Sequence, residues 1–145
     1  MKFSLSQSIN TKAMFTLVTS VLRRPNLIVP HVSVPTISNL DFTSLRDSCG
    51  IRAIIFDKDN TVTAPYQFHV HSKAAWGLEE AKRVFGDQNV AILSNSAGTI
   101  GYDNDMKEAL QTELALGIPV IRHKEKKPGM FSFISASKCK SWYTW

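Results

Sequence analysis

Two carboxylates two residues apart, Asp57 and Asp59, stand in the run DKDNT at 57–61, directly after the apolar stretch Ile51 to Phe56. A pair so placed can divide the work of phosphoryl transfer. One carboxylate attacks phosphorus, splitting hydrolysis into two displacements, and the other moves protons to a leaving oxygen and from a water, worth roughly 10²- to 10⁴-fold in rate. Two carboxylates repel a phosphate dianion, so the site calls for a hard cation; Mg²⁺, with few protein oxygens and several waters, fits. A second polar group, SNSAG at 94–98, follows the apolar run Val90 to Leu93, and a third, KKP at 126–128, follows Ile118 to Ile121. Pro128 suits the first turn of a helix and sets Lys127 before an anion-favouring terminus. Taken singly, each group has a plainer reading: a solvated turn for the two Asp residues, a helix cap for Ser94, and solvent-facing charge for the Lys pair.

The elements that must carry these groups alternate. Ile51 to Phe56 reads as a strand covered on both faces, Lys73 to Phe85 as a helix, and Val90 to Leu93 as the next strand. Met106, Ala109, Leu110 and Leu114 then form a helical stripe closed by Gly117, and Ile118 to Ile121 is a third candidate strand. This order predicts an α/β fold with right-handed parallel crossovers, a Rossmann-like sheet whose ligands bind at the carboxyl ends of the strands. All three polar groups then meet at one rim. The segment from Thr63 to about Val90 is too short for a helix plus a substantial cap domain, which predicts a capless, open cleft.

Length and charge narrow the class. The chain has 145 residues and a net charge of +5, enough for one globular domain. The charge divides into +3 over residues 1–41, −2 over 42–125 and +4 over 126–145, so the central region is slightly acidic. That argues against nucleic acid, which calls for a basic face on the folded core. Cys49 and Cys139 lie far apart with no CxxC or Cys/His cluster, so neither zinc nor a disulfide framework is indicated and a reduced compartment is the default. No run of about 18 apolar residues marks a membrane-spanning helix.

Residues 1–40 form a basic, Ser/Thr-rich segment with no acid before Asp41, the composition of a mitochondrial transit peptide. Met14, Leu17, Val18, Val21 and Leu22 mark one face of a short basic amphipathic helix. Such a helix suits a membrane surface, or packs on the domain instead. Pro25, Pro30 and Pro35 predict an extended connector.

DKDNT resembles the DxDxT signature of haloacid-dehalogenase-type phosphatases. Together with LSNSAG at 93–98, GIPVIRH at 117–123, KKP, and RRPNLIVPH at 23–31, it resembles the phosphatidylglycerophosphate phosphatases of fungal and plant mitochondria over roughly residues 12 to 129. The resemblance implies a haloacid dehalogenase fold of the IIIA-like kind. It assigns Asp57 as nucleophile, Asp59 as acid and base, and Ser94, Asn95 and Lys127 as phosphate ligands. Mg²⁺ would be held by an Asp57 carboxylate oxygen and the Asp59 main-chain carbonyl. The implied reaction removes the terminal phosphate from phosphatidylglycerophosphate, on the route to cardiolipin. The enzyme would be peripheral, on the matrix side of the mitochondrial inner membrane.

The family pattern continues with a fourth strand and a further metal-binding acid, which the stretch after Gly129 does not match. The expectation is therefore a partial phosphatase domain over 41–129, with C-terminal strand or strands missing, a divergent tail over 130–145, and reduced or absent activity. Two rival functions remain: a soluble phosphatase of small phosphate esters, and a non-catalytic mitochondrial membrane-associated protein. Among lesser candidates, His69 and His71 could approach a metal or simply form a loop or strand edge. Arg122 and His123 could meet a lipid phosphate or lie solvated, and Trp142 and Trp145 could seek a membrane interface or fray.

Overall fold

The computed structural model describes residues 30–124 and Lys127. The amphipathic helix expected around Met14 to Leu22, the helix start expected at Pro128 and the tail with Trp142 and Trp145 lie outside the described residues.

Helix α1, Phe42–Asp47, begins where Asp41 accepts the Ser44 N–H at 2.9 Å, satisfying one of the donors a helix start leaves open. Strand β1, Ile54–Asp57, follows. It starts three residues later than the apolar run, because Ile51 donates its N–H to Leu45 at the end of α1 and the partner strand has only four residues to offer. Helix α2, Ser72–Phe85, leads to strand β2, Val90–Leu93, and helix α3 spans Lys107–Leu116. Strands β1 and β2 pair in parallel, with Ile54 opposite Val90 and Asp57 opposite Leu93.

The third expected strand is reduced. Residues 118–121 run parallel beside β2, with the Ile92 N–H reaching Pro119 O and the Ile121 N–H reaching Ile92 O, both at 2.8 Å. Only the Ile92–Val120 bridge forms there. Pro119 has no N–H to give, and the Val120 N–H is taken by the Glu113 carboxylate at 2.8 Å. The described fold is thus α/β with a small parallel two-stranded sheet.

Phe42 anchors the core, its ring edge-on to Phe56 at 6.2 Å and to Phe85 at 6.4 Å. Around it lie Val62, Leu78, Ala81, Val90 and Ile92, all buried. Helix α2 is pressed against the turn at 37–39. A Cβ on Gly77 would stand 2.6 Å from the Ile37 carbonyl carbon and the Ser38 nitrogen. The Ser38 hydroxyl occupies this tight seam, donating to Lys73 O at 2.7 Å and accepting the Gly77 N–H at 3.0 Å.

Helix α3 is rotated from its expected stripe. Ala109, Thr112 and Leu116 are its buried residues, whereas Leu110 and Leu114 are 51% and 86% exposed. Two polar anchors outweigh the leucines. Asp103 accepts the Glu108 and Ala109 N–H groups, and Glu113 is tied to Val120 and Arg122. Thr112 is accommodated because its hydroxyl bonds Glu108 O at 2.7 Å. The expected stop at Gly117 is present in left-handed conformation, φ 66°, where a residue without Cβ is favoured.

Candidate active site

Asp57 is the last residue of β1, so the strand delivers its carboxylate to the carboxyl rim of the sheet. Its side chain is 54% exposed. The Lys127 ammonium reaches it at 2.6 Å and also donates to Leu93 O at 3.0 Å. Asn95 completes the connection by accepting the Lys127 N–H at 2.8 Å. One contact set therefore joins the ends of β1 and β2 to the Lys-Pro group, as expected from their order along the chain.

Asp59 stands at the start of a folded-back loop. The Lys58 carbonyl accepts the N–H groups of Val62 and Thr63, and the His71 N–H returns to Val62 O. Within this loop Asn60 and Tyr66 adopt positive φ, 62° and 60°, uncommon for residues with a side chain. The turn at Tyr66 aims its N–H at Asp59 Oδ1, 3.2 Å away. Lys58 reaches the same oxygen at 3.0 Å. The sequence reading passed over Lys58, although a cation between two candidate catalytic acids was visible in DKDNT.

Ser94 is fully buried. Its hydroxyl lies 3.2 Å from both the Ser96 hydroxyl and the Ser96 N–H, which donates to it; it is turned into its own loop. Gly98 is needed behind it, since at φ 76° an added Cβ would meet Ile121 O at 2.9 Å. Asp103 ties the far end of this loop to α3, accepting the N–H groups of Gly98 at 3.0 Å, Glu108 at 3.1 Å and Ala109 at 2.8 Å. Burial pushes this carboxyl upward, but the backbone N–H donors from Gly98, Ala109, Glu108 and Lys107 outweigh it and hold the group below the usual carboxylate range. Asp103 also went unremarked in the sequence, although an acid shortly before a helix is a capping signal.

One expectation fails on geometry. His123 is buried beneath the rim, with Nε2 2.7 Å from Ser94 O and 3.1 Å from the Thr99 hydroxyl. It braces the serine loop rather than facing solvent or a lipid. Arg122 is committed to Glu113 through both terminal nitrogens. Burial pushes the Glu113 carboxyl up, but Arg122 and the Val120 N–H outweigh it and hold it low. His71 caps α2, its Nδ1 accepting the Lys73 N–H at 3.2 Å, and His69 is exposed.

Among the described residues no three His, Cys, Asp or Glu side chains come together. The rim nevertheless offers Asp57 Oδ2, which Lys127 leaves open by bonding Oδ1, and the Asp59 main-chain oxygen, to which no described backbone donor is bonded. Two protein oxygens of this kind would suit Mg²⁺, a cation that takes few protein oxygens and keeps several waters.

The profile of the mitochondrial PGP phosphatase family matches residues 11–137. This chain belongs to that family. The match runs past Gly129, where the recognisable motifs end. Among curated relatives, phosphatidylglycerophosphate phosphatase 1, chloroplastic/mitochondrial, of Arabidopsis thaliana is 38% identical over 128 residues, covering 88% of this chain and 36% of its own length. The chloroplastic enzyme of the same name from Chlamydomonas reinhardtii is 41% identical over 104 residues, 72% of this chain and 38% of its own. A probable mitochondrial phosphatidylglycerophosphatase of Schizosaccharomyces pombe is 32% identical over 114 residues, 74% of this chain and 54% of its own. The chain thus spans between about one third and just over half of these relatives. No solved structure matches it.

Proposed function

We propose that this protein is a Mg²⁺-dependent phosphatase that converts phosphatidylglycerophosphate to phosphatidylglycerol through an aspartyl-phosphate on Asp57. The contact of Lys127 with Asp57 at the end of β1 carries the reading, because it puts a phosphate-neutralising cation beside the carboxylate best placed to attack. The names of the relatives supply the substrate class.

In this mechanism Lys127 exchanges its bond to Asp57 for one to the substrate phosphate, freeing Oδ1. An Asp57 oxygen then forms the new P–O bond as the bond to the glycerol oxygen breaks. Asp59 gives that oxygen its proton and afterwards takes one from the water that attacks the phosphorus of the aspartyl-phosphate, returning Asp57 and inorganic phosphate. Asn95 holds Lys127 in register, and the Ser94 hydroxyl turns from Ser96 to a phosphate oxygen. Asp57 and the Asp59 carbonyl would hold Mg²⁺, whose positive charge would offset repulsion between the carboxylates and the phosphate.

The family reading further gives a capless haloacid dehalogenase fold, and a peripheral place on the matrix side of the mitochondrial inner membrane, feeding cardiolipin synthesis. A short connection supports a bilayer substrate: between β1 and β2 the chain has only the 58–71 loop, α2 and a short turn. Among the described residues no helix is long and apolar enough to cross a membrane. The test is phosphate release from vesicles containing phosphatidylglycerophosphate, set against soluble phosphate monoesters, with and without Mg²⁺. Preference for the lipid with Mg²⁺ is expected; equal or better turnover of the soluble esters would overturn the lipid assignment.

A further inference from the structure

The mechanism above leaves Lys58 without a task, yet it is the most unusual side chain at the rim. A lysine is rarely buried unless paired, and this one is 2% exposed. Its ammonium lies 3.0 Å from Asp59 Oδ1 and 5.3 Å from the centre of the Phe68 ring, within the range of a cation over an aromatic face. Phe68 and Tyr66 belong to the same loop. That loop adopts a positive φ at Tyr66 and thereby brings a second donor, the Tyr66 N–H, to the same Oδ1. Left-handed backbone at a residue with a side chain is costly and persists where the surroundings enforce it. Two donors on one oxygen fix the carboxylate plane and leave Oδ2 as the oxygen without these bonds.

We propose that Lys58 is a positioning residue for proton transfer: with the Tyr66 N–H it clamps Asp59 Oδ1, so that Oδ2 alone meets the leaving oxygen and later the attacking water. The inference rests on the reading of Asp59 as acid and base. In the first step the bond from Asp57 oxygen to phosphorus forms and the bridging P–O bond breaks. The electron pair goes to the glycerol oxygen, which takes the proton from Asp59 Oδ2. In the second, water adds to phosphorus, its proton goes to Oδ2, and the Asp57–phosphate bond breaks. A clamp matters because proton transfer needs a heavy-atom approach of about 2.6–3.2 Å. Rotation of a free carboxylate would lose that approach without disturbing phosphate binding.

The experiment compares two leaving groups in the full chain. Phosphatidylglycerophosphate in vesicles releases an alkoxide that must be protonated, whereas p-nitrophenyl phosphate releases a phenolate that needs no proton. In Lys58→Met, the single-turnover rate of phosphoenzyme formation from the lipid, which leaves out the hydrolysis step common to both substrates, should fall about 10²-fold, the scale of general acid catalysis. The fall for p-nitrophenyl phosphate should be several-fold smaller, with KM for both little changed. Lys58→Arg, which keeps a donor cation, should recover part of the lipid rate. Phe68→Leu, which removes the ring but keeps bulk, should shift the ratio of the two rates in the same direction by less, and it serves if Lys58→Met does not fold. An equal fall on both substrates, or a change in KM alone, would overturn the proposal and make Lys58 structural. Asp59→Asn, run alongside, separates the two layers. If it too leaves the ratio unchanged, the acid/base reading itself has failed and the clamp falls with it. If it shifts the ratio and Lys58→Met does not, only the clamp is wrong.

Discussion

Replacing Asp103 with alanine removes the acceptor that joins the serine loop to α3. The buried N–H groups of Gly98 and Ala109 lose their partner, and the part-buried Glu108 N–H loses one that water can replace. At about 1–3 kcal/mol for each of the two buried groups left unsatisfied, the loss is about 2–6 kcal/mol, a large share of the roughly 5–15 kcal/mol that holds a domain folded. Asp103→Asn keeps one oxygen but turns an NH₂ toward an N–H donor, so it should cost less than alanine. The pH dependence follows from the lowered pKa of the folded state. The folded state binds fewer protons than the unfolded one. The stabilisation is therefore fully present above the ordinary Asp value of about 3.9 and is lost as pH falls through the lower folded value. Urea unfolding of the full chain at neutral pH and at stepwise lower pH tests both points. A loss under about 0.5 kcal/mol for Asp103→Ala, the ordinary scale of a surface change, would refute the reasoning. So would an acid dependence of stability in Asp103→Asn as steep as in the parent.

Other outcomes follow from the same contacts. Gly77→Val should lower the unfolding free energy by about 1–3 kcal/mol or more, read from the urea midpoint, because the new atoms meet the backbone of Ile37 and Ser38; an unchanged midpoint would contradict the packing. Lys127→Ala should reduce kcat by about 10²- to 10³-fold, the cost of removing one preorganised charge partner, and near-parental turnover on lipid vesicles would remove it from the site. A reporter fused to residues 1–40 should enter mitochondria, and a persistent cytosolic signal from intact fusion would reject the targeting reading; the chloroplastic names among the relatives make plastid import the outcome to score beside it.

The sequence disclosed the frame of this site better than its supports. Strand β2 and the start and stop of α2 lie within one residue of their expected positions, since short apolar runs with clear flanks leave little choice. The meeting of Asp57, Asn95 and Lys127 followed from three polar groups at the ends of successive apolar runs. What was not legible depended on partners far along the chain. Counting apolar residues put Leu110 and Leu114 inside, but Asp103 and Glu113 orient α3 through polar bonds that periodicity does not register. His123 looked like a rim residue because it follows the third apolar run, yet its ring is drawn beneath Ser94 by the carbonyl and hydroxyl waiting there. Lys58 was hidden because a lysine beside an aspartate usually reads as solvated charge, whereas here it is buried with its ammonium over the Phe68 ring, a partner ten residues along the chain.

The central claim is that Asp57 attacks phosphorus. Brief reaction of the full chain with lipid substrate labelled in its terminal phosphate, followed by denaturing quench and peptide mass spectrometry, should find a hydroxylamine-sensitive phosphate on the peptide containing Asp57. Folded Asp57→Asn should show neither label nor phosphate release. Label on another residue, or turnover by folded Asp57→Asn at the parental rate, would contradict the account.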